Sequence, residues 1–362
     1  MVGDKASVVL AMSGGVDSSA AAAALVEGGY RVIGVTFRMW EEGWSSTGKV
    51  AAVRCSHTAV EEAAGAAQAL GIEHVVIDLR ERFLASIVEP FAREYMHGRT
   101  PNPCVECNRS IKFPTLVEVA DEMGAPIIAS GHYARAECDV DGVSSLRRAA
   151  AREKDQSYVL YGLGGEELSR CLFPNGGMSK EEVRELAAAH GLDAARSEES
   201  QEICFLCGGD YRDLVSRRHP EALAPGPVED TSGKKLGEHH GVAFFTVGQR
   251  RGLGISESYP LYVVALDAGR RAVIVGSREE VPGDRLRAEE PLWTTGGPPG
   301  DSFTAEAMVR YNAIPASCRV EVSGEGFELS FSDRVWALTP GQHAVLYRGD
   351  EVLGGGVITS AR

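Results

Sequence analysis

No stretch of this chain supplies the roughly 20 consecutive apolar residues that a membrane-spanning helix needs. The longest apolar runs, such as residues 20–26, stop far short of that, and the first one, residues 8–12, is too brief for a secretory leader. The expectation is a cytoplasmic protein with no membrane partner. Cysteine is sparse as well. Eight in 362 residues cannot build a disulfide scaffold, so clustered cysteines in a reducing compartment point to metal binding or thiol chemistry.

Positive charge is also in short supply, with 37 Lys and Arg against 51 Asp and Glu and a net charge of −14. That excludes a protein that coats nucleic acid through its overall field, and leaves room only for a local basic groove. The pairs Arg147-Arg148, Arg217-Arg218 and Arg250-Arg251 lie far apart and read individually as solvated surface. Two nucleotide signatures are missing: no G-K-[ST] closes the first glycine loop, and no G-x-G-x-x-G follows the first strand.

What is present suggests two or three domains, given typical domain sizes of roughly 100 to 200 residues. The first half alternates short apolar runs with helical patterns: strands at 8–12, 32–37, 74–79 and 126–130, helices at 20–27, 60–70, 83–95 and 115–123. This is β-α-β texture, and the predicted fold class is α/β, a doubly wound parallel sheet followed by two small β-rich domains, the last a β-barrel. Ser179 and Glu182 form a capping box for a helix over 180–190, closed by Gly191. Short β-type segments follow at 243–247, 261–266 and 272–275. Residues 294–300 read as a linker or long turn, and 318–322 and 327–331 alternate with period two. The predicted boundaries are 1–215, 216–280 and 281–362.

After the first strand comes Ser13-Gly14-Gly15-Val16-Asp17-Ser18-Ser19, running straight into an alanine-rich helix. A loop between a strand's carboxyl end and a helix N-terminus is where anions bind. Its glycines let backbone N–H groups approach a phosphate, its serines can donate to phosphate oxygens, and Asp17 is placed to help hold Mg2+.

The cysteines divide into two groups. Cys55, Cys138, Cys171 and Cys318 are scattered and read as small buried hydrophobes. Cys104 with Cys107, and Cys204 with Cys207, form two C-x-x-C pairs. The first pair sits in TPNPCVECNRSIKF, residues 100–113, which reads as a proline-stiffened loop in which neither helix nor strand continues undisturbed.

SGGVDSS resembles the signature of the ATP pyrophosphatases, which cleave ATP between its α and β phosphates and adenylate a carbonyl oxygen. Further along, TPNPCVECNRSIKF, ASGHYAR at 129–135, KDQSYVL at 154–160, SQEICF at 200–205 and TVGQRRGLGI at 246–255 resemble the tRNA-specific 2-thiouridylases. The likeness runs on to TPGQHAVLY near the end.

The resemblance implies an ATP-dependent tRNA sulfurtransferase that forms 2-thiouridine at the wobble position, with AMP and pyrophosphate released. Cys204 matches the cysteine that accepts sulfur as a persulfide, and Cys107 the thiol that attacks it, the two ending as a disulfide bond. ATP-binding positions carried over are Ala11, Met12, Ser13, Gly14, Gly15, Val16, Asp17, Ser18, Phe37 and Gly131. The tRNA-binding positions are Asn102, Pro103, Cys104, His132, Lys154, Asp155, Gln156, Arg310, Tyr311 and Gln342. The implied partners are tRNA and an upstream sulfur carrier or cysteine desulfurase.

One position departs from the family pattern. Many members carry an aspartate, thought to act as general acid or base, where this chain has Cys104. That leaves open a [4Fe-4S] cluster on Cys104, Cys107 and Cys204, or a closed zinc site with Cys207. A more distant alternative is an amide-forming ATP pyrophosphatase ligase, which shares the phosphate loop and has no need of the thiols.

Overall fold

The computed structural model describes residues 6–40, 56–196, 203–206, 209–255 and 257–362. Cys55, Cys207 and the first residues of SQEICF lie outside them. Among the described residues no helix is long and apolar enough to cross a membrane.

The chain opens with β1 (Ser7–Ala11), β2 (Arg31–Arg38), β3 (Glu73–Asp78) and β4 (Ile127–Ser130). A hairpin of β5 (Ala134–Cys138) and β6 (Ser144–Arg148) precedes the short β7 (Cys171–Leu172). The first sheet is all parallel in the order β3-β2-β1-β4-β7. Val8, Val9 and Leu10 of β1 are wholly buried because helices cover both faces of the sheet, as parallel sheets require. The helix Val16–Glu27 presses Ala20 to Ala23 fully into the interior, their small side chains allowing close approach to the strands. Strand order reverses between β1 and β4. In such sheets ligands bind outside the strand ends at this switch point.

Next comes a small four-stranded sheet of β8 (Gly226–Asp230), β9 (Lys235–His239), β10 (Tyr262–Asp267) and β11 (Ala272–Gly276). The final unit comprises β12 (Gly283–Trp293), β13 (Ser302–Met308), β14 (Ala316–Ser323), β15 (Gly326–Val335), β16 (His343–Arg348) and β17 (Glu351–Ala361). Pairing of β12 with both β15 and β17 closes it into an antiparallel barrel. Closure leaves no free edge between these strands. The β5–β6 hairpin, though early in sequence, pairs with β17 and extends the barrel's sheet.

Three sequence expectations change, at residues 100–113, at 243–247 and at Cys138. Residues 100–113 are not a loop: Pro103 opens an α-helix, Pro103–Cys107, that passes through a π-turn, Asn108–Lys112, into the helix Phe113–Glu122. Proline is well suited to the first helical position because its missing N–H would be unpaired there anyway, and Asn102 caps the helix from the residue before. The strand expected at 243–247 is replaced by a short 3-10 turn, Val242–Phe244. Apolar content alone does not distinguish such buried turns from regular elements. Of the two readings of residues 294–300, the long turn holds: it joins β12 to β13 within the barrel. Cys138 is exposed at the end of β5, whereas Cys171 and Cys318 are buried.

Candidate active site

The loop after β1 is shaped from within. Met12 N–H bonds to Val35 O at 2.8 Å, and Thr36 Oγ1 donates to Met12 O at 2.8 Å, so the loop leaves the sheet at a fixed angle. The Ser13 backbone N–H bonds to Ser18 Oγ at 3.1 Å, and Ser18 Oγ donates to Gly15 O at 3.0 Å. Gly14 has φ +76°, and a Cβ there would fall 2.6 Å from Ala59 O, so only glycine fits. Gly15 precedes the helix Val16–Glu27 without a capping side-chain bond, which leaves the first-turn N–H groups available to an anion.

Asp17 is held more firmly than its spacing suggested. Its Oδ1 accepts from Tyr133 OH at 2.7 Å and from Lys180 Nζ at 2.7 Å. The fully buried Asn175 donates through Nδ2 to Asp17 O at 2.9 Å and to Gly131 O at 2.8 Å. A Cβ on Gly131 would meet the Asp17 carbonyl carbon at 2.7 Å, so this glycine is required by the close approach of the β4 loop to the phosphate loop. Lys180 begins the helix Lys180–Ala189, whose Ser179/Glu182 capping box forms as the sequence suggested.

On the other side of the switch point the cysteine helix is set by its ends. Asn102 Oδ1 accepts from Cys104 N at 3.1 Å and Val105 N at 3.4 Å. Before it, Thr100 is fastened three times: its N–H to Pro340 O at 2.9 Å, its hydroxyl to Thr246 Oγ1 at 3.2 Å, and its carbonyl to Gln342 Nε2 at 2.7 Å. The middle sheet's neighbouring loop and the C-terminal barrel therefore both grip the approach to the cysteines.

Cys104 and Cys107 lie three residues apart on one helix face. Cys107 is buried, while Cys104 keeps surface open to solvent at the mouth of a crowded recess. Cys204 begins the 3-10 turn Cys204–Leu206 and is also open to solvent. The next residue, Phe205, is its anchor, packing edge-on against Phe83 at 5.7 Å and Phe91 at 5.2 Å in the same apolar cluster as Cys107. Burying such a ring is worth about 1.5–3 kcal/mol, enough to fix where Cys204 sits.

Lys112, unremarked by sequence reasoning, unites the three thiols. The π-turn adds one residue between Cys107 and Lys112, giving this i,i+5 pair the near-cofacial relation of an ordinary i,i+4 pair. Burial alone would pull the ammonium's pKa down, yet Cys107, Cys204 and Cys104 together hold it above the usual lysine value. In return its charge partly offsets the burial that pushes Cys107 up to about 11 and Cys204 up to about 12. Cys104 is raised by the same burial, again opposed by Lys112. His132 completes the group: burial, then the Lys112 charge, pushes it down to about 3, so its ring is neutral, with Nδ1 2.8 Å from Ser130 Oγ.

The remaining sequence-named residues are scattered in role. Phe37 packs partly buried at the end of β2. Asp155 accepts from Ala149 N at 3.0 Å and pairs with Arg148 at 3.2 Å, while Gln156 Oε1 accepts from Tyr133 N at 2.9 Å. Lys154 is half-buried beside them. Arg310 and Tyr311 are exposed on the β13–β14 connection, Arg310 donating to Thr339 Oγ1 at 3.1 Å. Gln342 is buried against Thr100. Among the described residues no group of three His, Cys, Asp or Glu is arranged to hold a metal ion.

Three family models cover the chain: a tRNA methyl transferase HUP domain matches residues 6–208, a tRNA methyl transferase PRC-barrel domain residues 212–277, and an aminomethyltransferase beta-barrel domain residues 283–358. The tRNA-specific 2-thiouridylase MnmA of Chloroflexus aurantiacus is 46% identical over 356 residues, covering 98% of both chains. Its counterpart in Heliobacterium modesticaldum is 45% identical, covering 98% of this chain and 92% of the relative. That of Moorella thermoacetica is 44% identical, with 97% and 99% covered.

Proposed function

Because the chain belongs to the family of tRNA-specific 2-thiouridylases, we propose that it binds ATP on the loop after β1, adenylates the C2 oxygen of the wobble uridine in tRNA, and replaces that oxygen with sulfur carried on Cys204. The observation that carries this reading is the shared Lys112, whose charge is coupled to three thiols and to a neutral histidine that follows β4. An amide-forming ligase has no use for that arrangement.

In this reading the first-turn N–H groups of the helix Val16–Glu27, with Ser13 and Ser18, receive the phosphates, and Phe37 and Gly131 border the nucleotide. Asp17, held by Lys180 and Tyr133, keeps the loop in shape. Magnesium, when bound, neutralises phosphate charge. The uridine enters base-flipped past Asn102, Pro103 and Cys104, since an enzyme acting on a base atom must take it out of the stack. His132, Lys154, Arg310 and Tyr311 contact the tRNA; Asp155, Gln156 and Gln342 shape the backbone beneath it.

An upstream sulfur carrier or cysteine desulfurase loads Cys204 as a persulfide. The Cys107 thiolate attacks Cys204 Sγ, forming a Cys107–Cys204 disulfide and expelling hydrosulfide. Hydrosulfide then adds to the activated C2 carbon, and AMP leaves with the former oxygen. Lys112 favours the thiolate in each step. The three functional units are assigned to 1–215, 216–280 and 281–362, with catalysis in the first and tRNA contacts extending onto the last.

The test is an anaerobic reaction of the full chain with ATP, magnesium, a persulfide donor and unmodified tRNA. Thiolated tRNA should be retarded on a thiol-affinity gel, and its absence would sink the reading. Cys204→Ser should abolish the retarded band and keep ATP–pyrophosphate exchange, whereas a ligase would keep its product as well.

A further inference from the structure

The thiol at position 104 is not used by the sulfur-transfer steps above. Three observations give it work. Cys104 and Cys107 are on the same helix face, three residues apart in the α-helix Pro103–Cys107. Helix pitch and radius put their Cα atoms about 5 Å apart, inside the roughly 4.4–6.8 Å range that a disulfide spans. Cys107 is buried and Cys104 open to solvent. The Lys112 charge is coupled to both of them and to Cys204, so a thiolate exchanged among the three stays within a cation's field.

We propose that Cys104 is a resolving thiol: after each sulfur transfer it moves the Cys107–Cys204 disulfide onto itself and Cys107, freeing Cys204 to be loaded again. The inference rests on the persulfide reading. The Cys104 thiolate attacks Cys107 Sγ in line with the Cys107–Cys204 bond; a Cys104–Cys107 bond forms, the older bond breaks, and its electron pair leaves on Cys204. Cys204 takes up the proton that Cys104 gave up, so the exchange is redox-neutral. A dithiol reductant then supplies two electrons and two protons to the new disulfide, attacking at Cys104, the exposed residue of the pair. Cys104, tethered on the same helix as Cys107, attacks at high effective concentration.

Peptide mapping decides it. Trypsin releases Cys104 and Cys107 together on residues 100–109 and Cys204 together with Cys207 on residues 197–212, where fragment ions tell the two apart. Full-length protein is given persulfide donor, ATP, magnesium and tRNA for a single turnover without reductant, acid-quenched, alkylated and analysed by mass spectrometry. The wild type should yield the 100–109 peptide lighter by two hydrogens, with Cys204 alkylated. Cys104→Ser should instead yield a cross-link between the two peptides. With a limiting dithiol, Cys104→Ser should stop after a burst of about one thiolated tRNA per enzyme while the wild type continues.

A wild-type cross-link between the two peptides, whether through Cys104 or Cys107, overturns the proposal and leaves the persulfide reading standing. Thiolated tRNA with no disulfide in either protein overturns both.

Discussion

Gln342 Nε2 donates to the Thr100 carbonyl at 2.7 Å, across 242 residues of sequence, so a side chain of the C-terminal barrel fastens the approach to the cysteine helix. Gln342→Ala strands that carbonyl, a loss of about 1–3 kcal/mol. Thiolation should fall by roughly tenfold if that loss misplaces Cys104 and Cys107 in the transition state, while the KM for ATP stays unchanged. Steady-state kinetics with ATP and tRNA varied separately check this.

Lys180 does the corresponding work for the phosphate loop through Asp17. Lys180→Met removes the cation from the Asp17 carboxylate and leaves the Tyr133 hydroxyl bonded to it. Because Asp17 remains about a third exposed at 36%, the stability loss should be roughly 1–3 kcal/mol, below that of a fully buried pair. ATP binding should weaken by about tenfold or more, the equivalent of 1.4 kcal/mol. Calorimetric titration with a non-hydrolysable ATP analogue and thermal melts report the two effects separately.

Removing the Lys112 charge should make all three thiols harder to ionise. Lys112→Met should slow iodoacetamide alkylation of Cys104 and Cys204 at pH 8 by about tenfold, one pKa unit being 1.36 kcal/mol. Lys112→Arg should restore part of the rate. If alkylation is equally fast in all three proteins, Lys112 does not couple to the thiols.

Two buried histidines predict an acid limit to stability. Burial, then Lys112, lowers His132 to about 3, and burial, then Arg109, lowers His343 to about 3; the unfolded value is 6.5. The unfolded chain thus holds more protons between those values. The stabilisation is fully present above pH 6.5 and is lost as pH falls toward 3, at up to about 1.4 kcal/mol per pH unit per histidine. Urea unfolding at pH 7 and pH 5 should show a loss that His343→Gln reduces, since glutamine can still accept from the Tyr161 hydroxyl now bonded to His343 Nδ1 at 2.8 Å.

Much of the fold is legible in local pattern. The alternation around β1 and β2, the Ser179/Glu182 box and the period-two runs of the barrel each reflect which face of one element must be buried. The cysteine segment is misread as a loop because two prolines suggest interruption, yet Pro103 sits at the one helical position where proline fits. At the site, Cys107, Cys204 and the glycine-serine loop stand out by residue type and spacing. Lys112, Lys180 and Asn175 do not, because a lone lysine or asparagine carries no periodic signal.

The sequence by itself determined the phosphate loop, the parallel-sheet class, the two C-x-x-C pairs and the family, since each is written in residues close together or in motifs read in order. Only the tertiary structure decided that the Lys112 charge is coupled to Cys204, 92 residues away (204 − 112), and that Lys180 and Tyr133 hold Asp17. Those relations depend on which strands lie beside β1 and on the packing of Phe205 into its aromatic cluster. Long-range packing and electrostatics have no local pattern from which they can be read.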